Sequence, residues 1–144
     1  MRTVTSIIVH HTATPQTWTL EKIRAFHKTK WSEIGYHYVI ERDPLLLRVG
    51  RRSDRAGAHC KGANRNSLGI VIVGNFVEET LDRLTLCFAA QAVADLCVSY
   101  GLTSSDVYGH NHAPGGTTAT VCPGFSMDDL RARVSEILSK GGAS

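Results

Sequence analysis

"LGIVIVG", residues 68–74, is an unbroken apolar run punctuated by Gly69 and Gly74. Isoleucine and valine dominate it. A run of this kind reads as a central strand covered on both faces, the pattern of a parallel or mixed sheet. A sheet buried on both faces needs helices above and below it, so the flanking sequence has to supply them.

It does. "TLEKIRAFHKTK" carries Leu20, Ile23 and Phe26 at helical spacing, with Thr19 placed as an N-cap. "LTLCFAAQAVADLCVSYG", 84–101, is a core helix whose wet edge is Gln91, Asp95 and Ser99 at i, i+4, i+8. Asp95 interrupts the run, and the polar stripe marks a core helix and not a membrane span. "SMDDLRARVSEILSK" presents Met127, Leu130, Val134, Ile137 and Leu138 on one face and opens with a Ser126/Asp129 capping-box spacing. Strands are expected at 4–10, 35–42 and 45–50, the last two joined across an Asp43-Pro44 turn. Residues 106–110 form a short strand or loop that leads into the Gly/Thr/Pro-rich segment 111–121. The order β-α-β-β-β-α-β-α predicts one α/β domain, a central mixed sheet flanked by helices, over residues 1–140. Residues 141–144, "GGAS", are expected to be a flexible tail.

Composition agrees with one globular domain: 144 residues, 42% hydrophobic and 20% charged. A net charge of +3, with both signs interleaved through "RDPLLLRVGRRSDRAG", is too small and too mixed to mark a nucleic-acid binder. Met1 and Arg2 run straight into a strand-like segment, with no apolar signal region. Synthesis in a cytoplasm is therefore expected; a monomeric chain is expected as well. Cys87 and Cys97 share one helix about 15 Å apart, too far for a disulfide. No C-x-x-C pair occurs. Reduced thiols are expected, with any special role left to Cys60 or Cys122.

The chemistry begins where the first strand ends. "SIIVHHTAT", residues 6–14, closes a β-branched run with His10 and His11. Seven histidines are spread through the chain. His27 reads as a packing or surface residue, and His37 as a satisfied core histidine before a partner that orients a site residue. The informative set is His10 or His11, His110 or His112, and Cys122, each at a strand end or in a loop. Two imidazoles and a thiolate suit zinc, with a fourth position left for water. The competing chemistry is a cysteine hydrolase using Cys122 or Cys60 and a histidine base. Pro123 weighs against Cys122 in that role, because it removes a backbone N–H that an oxyanion hole would use.

Five segments in order, "IIVHHTAT", "IGYHYVIERD", "GAHCKGANRNSLGIVIVGNF", "GH" at 109–110 and "TVCPGF" at 120–125, resemble the type 2 zinc N-acetylmuramoyl-L-alanine amidases. That family includes phage lysozyme-amidases and animal peptidoglycan-recognition proteins. The resemblance implies Zn2+ held by His10, His110 and Cys122, with Tyr36 and Thr120 as catalytic residues. Tyr36 would donate to the oxyanion, and Thr120 would hold the water or the oxyanion. The loop "GAHCKGANRNS" would form one cleft wall, giving His59 and Asn64 as candidate substrate contacts and His59 as a possible proton shuttle. The implied reaction is hydrolysis of the amide between N-acetylmuramic acid and L-alanine in peptidoglycan. An endolysin held in the host cytoplasm until its release onto the wall fits best. The alternatives are a non-catalytic peptidoglycan receptor on the same fold and a cytoplasmic amidase recycling wall fragments.

Overall fold

The computed structural model describes residues 2–30 and 33–141. Of the expected tail, only Gly141 falls within the described residues. Five strands form one sheet: β1 (Ser6–His11), β2 (Tyr38–Glu41), β3 (Leu46–Val49), β4 (Ser67–Ile72) and β5 (Val107–Gly109), in the order β3-β2-β4-β1-β5. β1, β2, β4 and β5 are parallel neighbours, and β3 pairs antiparallel with β2. The mixed sheet expected from the sequence is present, and the "LGIVIVG" run is its central strand.

Alternation along the strands sorts the core into two faces. Ile7 and Val9 of β1, with Leu68, Ile70 and Ile72 of β4, pack against two helices, α2 (Arg83–Tyr100) and α3 (Met127–Ser139). Val39, Val71 and Val73 face the other way, onto Leu20 and Ile23 of α1 (Leu20–His27). Ile8 shares that side with Cys60 and Ala63 of the 57–63 loop. Residues 1 apart on β1 thus face different layers, which decides the fate of the two adjacent histidines.

The helices end where their capping residues dictate. Thr19 accepts from the Lys22 N–H, and Asp82 accepts from the Thr85 N–H. Gly101 closes α2 in the left-handed region at φ +68°. The Ser126/Asp129 box does not form as expected: Ser126 Oγ accepts from the Asp128 N–H instead. The reciprocal capping box is made by Thr103 and Asp106, ahead of β5. Among the described residues, no helix is long and apolar enough to cross a membrane. All four cysteines are free thiols.

His27 and His37 are both buried, which places His27 among the packing residues and not on the surface. His27 Nδ1 accepts from the Gly35 N–H at 2.9 Å. His37 is fully buried; its Nδ1 accepts from the Gly69 N–H at 3.0 Å, and its Nε2 lies 2.7 Å from the Arg55 carbonyl. Burial, with Arg2 and Arg51 nearby, brings its pKa down to about 4. The folded protein therefore keeps His37 neutral where the unfolded chain, near pKa 6.5, takes up a proton. Stability held above pH 6.5 is lost as the pH falls from 6.5 towards 4, by about 3 kcal/mol from this residue. Urea midpoints across that range should fall with pH, and His37→Gln should flatten the slope by about one proton. An unchanged slope in the variant would assign the acid sensitivity elsewhere.

Candidate metal centre

Parallel pairing builds the site. β1 and β5 lie side by side with Val9 opposite Gly109. The next residue on each strand is a histidine, so His10 and His110 leave the C-terminal ends of two neighbouring parallel strands at the same level. Ligand sites in open α/β sheets form at that edge. The two ring centroids are 4.7 Å apart. His11 points to the opposite face, where its Nδ1 accepts from the Phe76 N–H at 3.1 Å. His112 is exposed. Of the two pairs of alternatives, it is His10 and His110 that the fold brings together with Cys122.

Cys122 arrives on the loop that follows β5. The Asn111 N–H donates to the Cys122 carbonyl at 2.8 Å, and the Gly124 N–H donates to the Val121 carbonyl at 2.8 Å. Gly124 has φ +88°, and a Cβ there would stand 2.9 Å from the backbone of Phe76 and Val77. Only glycine lets this loop close down on the strand ends. Cys122 Sγ then lies 3.8 Å from His10 Nδ1 and accepts from the His11 N–H at 3.3 Å.

The ligand atoms of His10, His110 and Cys122 all lie within 4.8 Å of one another. Donors bound tetrahedrally at zinc distances stand roughly 3.3–3.6 Å apart, so a small inward movement completes the cage. Among the described residues, His110 Nε2 is buried with no hydrogen-bond partner, an unsatisfied group of the kind a cation would satisfy. Burial holds His10 well below the ordinary imidazole pKa, with His59, His110 and His11 adding to the effect. His110 is lowered by burial as well. Both are therefore neutral at pH 7, as ligation requires. Burial pushes the Cys122 thiol up to about 12, partly offset by the His11 N–H. Without a cation it is a protonated thiol, a poor nucleophile. That argues against the cysteine-hydrolase reading.

Tyr36 stands beside this group, its ring centroid 5.2 Å from that of His10. Burial, with Cys122 nearby, raises its phenol pKa above the ordinary value, so the hydroxyl remains a donor. It also lines a 240 Å³ pocket with Thr12, Trp18, Ile23 and Phe26. A larger cavity of 470 Å³ opens near the N-terminal end of β1, between Thr5, Arg65 and Tyr108, and contains none of the ligand set. Thr120 Oγ1 accepts from the Cys122 N–H at 3.1 Å, so it shapes the ligand loop while its own hydroxyl proton stays free to turn.

Two of the expected substrate contacts make their hydrogen bonds within the protein. His59 is buried, with Nδ1 2.8 Å from His10 Nε2 and Nε2 3.3 Å from Ser67 Oγ. Both ring nitrogens therefore have partners inside the protein. Burial first, then His37 and His110, brings its pKa down to about 3. Asn64 Oδ1 accepts from the N–H groups of both His59 and Cys60, at 3.0 and 2.9 Å. It is a loop brace. Ser67 and Trp18 were not singled out by sequence reasoning. Ser67 had one signal, a hydroxyl heading an otherwise apolar strand; Trp18 had none beyond its aromatic side chain.

The sequence matches the family model described as N-acetylmuramoyl-L-alanine amidase over residues 1–125. The endolysin of Enterobacteria phage T3 is 40% identical over 75 residues, 50% of this chain and 49% of that protein. Peptidoglycan-recognition protein SC1a/b of Drosophila simulans is 34% identical over 128 residues, 81% of this chain and 66% of that protein. Among solved structures, the N-acetylmuramoyl-L-alanine amidase LysC from Clostridium intestinale URNW superposes with a TM-score of 0.79 at 31% identity, covering 92% of this chain and 86% of that one. The chain spans about half the length of the curated endolysins it matches.

Proposed function

Because this chain belongs to the N-acetylmuramoyl-L-alanine amidase family, we propose that it hydrolyses the amide between N-acetylmuramic acid and L-alanine in bacterial peptidoglycan, as a phage or prophage endolysin. The supporting observation is the convergence of two neutral imidazoles and one thiol on a common point. A peptidoglycan receptor has no use for such a set.

His10, His110 and Cys122 would hold zinc. When bound, the ion supplies a Lewis acid that polarises the scissile carbonyl and acidifies water. Tyr36 donates its phenol hydrogen towards the carbonyl oxygen as charge develops there. Thr120 fixes the Cys122 loop and offers its free hydroxyl proton to the water or the oxyanion. The apolar pocket beside Tyr36 suits the methyl-bearing groups that flank the scissile amide. The catalytic domain is taken as residues 1–140, because Met127, Leu130 and Val134 of α3 complete the core beyond the family match. The protein acts as a monomer on the wall, with no nucleic-acid partner.

Purified protein incubated with sacculi should release new N-terminal alanine. Release should stop on chelation and return with added zinc. Wall binding without new alanine amines would make the protein a receptor. Release that ignores chelator and stops on thiol alkylation with metal present would make it a cysteine hydrolase.

A further inference from the structure

We infer that His59 is a positioning residue for the metal centre, fixing which nitrogen of His10 faces the cation through a hydrogen-bond relay that ends on the Ala63 carbonyl. The inference rests on the zinc-ligand reading above and adds to it.

The relay can be read from its end inwards. Ser67 Oγ lies 2.7 Å from the Ala63 carbonyl. A carbonyl only accepts, so the hydroxyl proton points there. The hydroxyl oxygen then accepts from His59, whose Nε2 is 3.3 Å away. His59 therefore carries its proton on Nε2 and presents a bare Nδ1. That atom lies 2.8 Å from His10 Nε2, so His10 Nε2 is the donor. A neutral imidazole has one N–H. The lone pair of His10 is left on Nδ1, the nitrogen 3.8 Å from Cys122 Sγ. One backbone carbonyl thus sets the direction of three bonds, and the last leaves the correct atom bare.

The relay is also held in place. His10 is 1% exposed, His59 8% and Ser67 0%, so water does not compete for these bonds. Asn64 pins the backbone N–H of His59. Gly69 lies flat under the ring, where a Cβ would stand 2.5 Å from His59 Cγ. The central strand therefore omits a side chain where this imidazole sits. Metal-bound histidines usually donate their second N–H to a carboxylate, a carbonyl or water. Here a second histidine takes that place, and a neutral acceptor depends on its own tautomer being fixed. Ser67 meets that need. With Ser67 removed, His59 can move its proton to Nδ1 and force His10 to hold a proton on the nitrogen meant for the metal.

The test compares wild type with Ser67→Ala, His59→Ala and His59→Asn. Zinc affinity is read by competition with a chromophoric chelator, the ligand field by cobalt absorption, and metal-free stability by urea unfolding. Ser67→Ala and His59→Ala should each weaken zinc by about 10–100-fold and alter the cobalt spectrum. His59→Asn puts an amide oxygen near the position of Nδ1 and should recover most of the affinity. Equal zinc affinity in all four proteins would overturn the inference. So would a loss confined to metal-free stability, which is what a packing role predicts. If His59→Ala does not fold, Ser67→Ala and His59→Asn decide. Wild type that binds no zinc would instead refute the proposed function.

Discussion

Cys122→Ser should lose zinc and hydrolysis together. Serine keeps the size and the loop but replaces a soft sulfur with an alcohol that does not ionise near neutral pH. Removing a partner that only orients a ligand costs about 10–100-fold in affinity. Removing a ligand should cost more, at least a hundredfold, with activity on sacculi falling on the order of a thousandfold. The fold should survive. The bonds that close the loop run through the backbone of Asn111, Cys122, Val121 and Gly124, and Thr120 still accepts from the N–H of residue 122. Metal content, wall activity and circular dichroism should be measured on one preparation. A folded variant that keeps its zinc would refute the ligand assignment, and one free of zinc yet fully active would refute the metal's part in hydrolysis. Excess zinc that restores activity would show that serine retains weak ligation and that affinity was the defect.

Some of this centre was legible in the sequence because local rules governed it. Alternation in "SIIVHH" sends Ile8 and His10 one way and Ile7, Val9 and His11 the other, so adjacent histidines must differ in role. The run at 68–74 announced a strand covered on both faces, and both faces are covered. Helix positions followed from apolar spacing and capping residues, with ends within a few residues. What was not legible depends on distant pairing. His10 and His110 meet because β1 and β5 are parallel neighbours in one register, and no local pattern encodes that register. The resemblance to a family supplied the grouping before the geometry did.

The loop 57–66 marks the other boundary of what could be read. Its histidine and asparagine looked available for substrate because loops carry function and amides bind sugars. Whether a loop side chain turns in or out depends on the element beneath it. Here that element has glycine at position 69, which leaves space for the His59 ring. The same glycine reads as a weak point in a strand when seen alone. Only the packed structure shows that the gap and the ring belong together, and that Ser67, two residues earlier, closes the relay.

Tyr36→Phe separates catalysis from assembly, which Cys122→Ser cannot do. Phenylalanine keeps the ring that packs 5.2 Å from His10 and the wall of the adjoining pocket. It deletes only the phenol. If that hydroxyl donates to the developing oxyanion, its loss should lower kcat about 100- to 1000-fold, roughly 3–4 kcal/mol. KM should change little, because the bond strengthens as charge develops and contributes less in the ground state. Zinc affinity and urea midpoint should match wild type. Burial raises the phenol pKa, so the donor persists through neutral and mildly alkaline pH, and no loss of activity there should be traceable to Tyr36. Kinetics on a soluble muramyl-peptide, with zinc content measured in parallel, check each point. A variant with unchanged kcat would reduce Tyr36 to a packing residue and leave the oxyanion to Thr120 and the cation. A variant that loses zinc as well would make Tyr36 part of the metal support and not of the reaction.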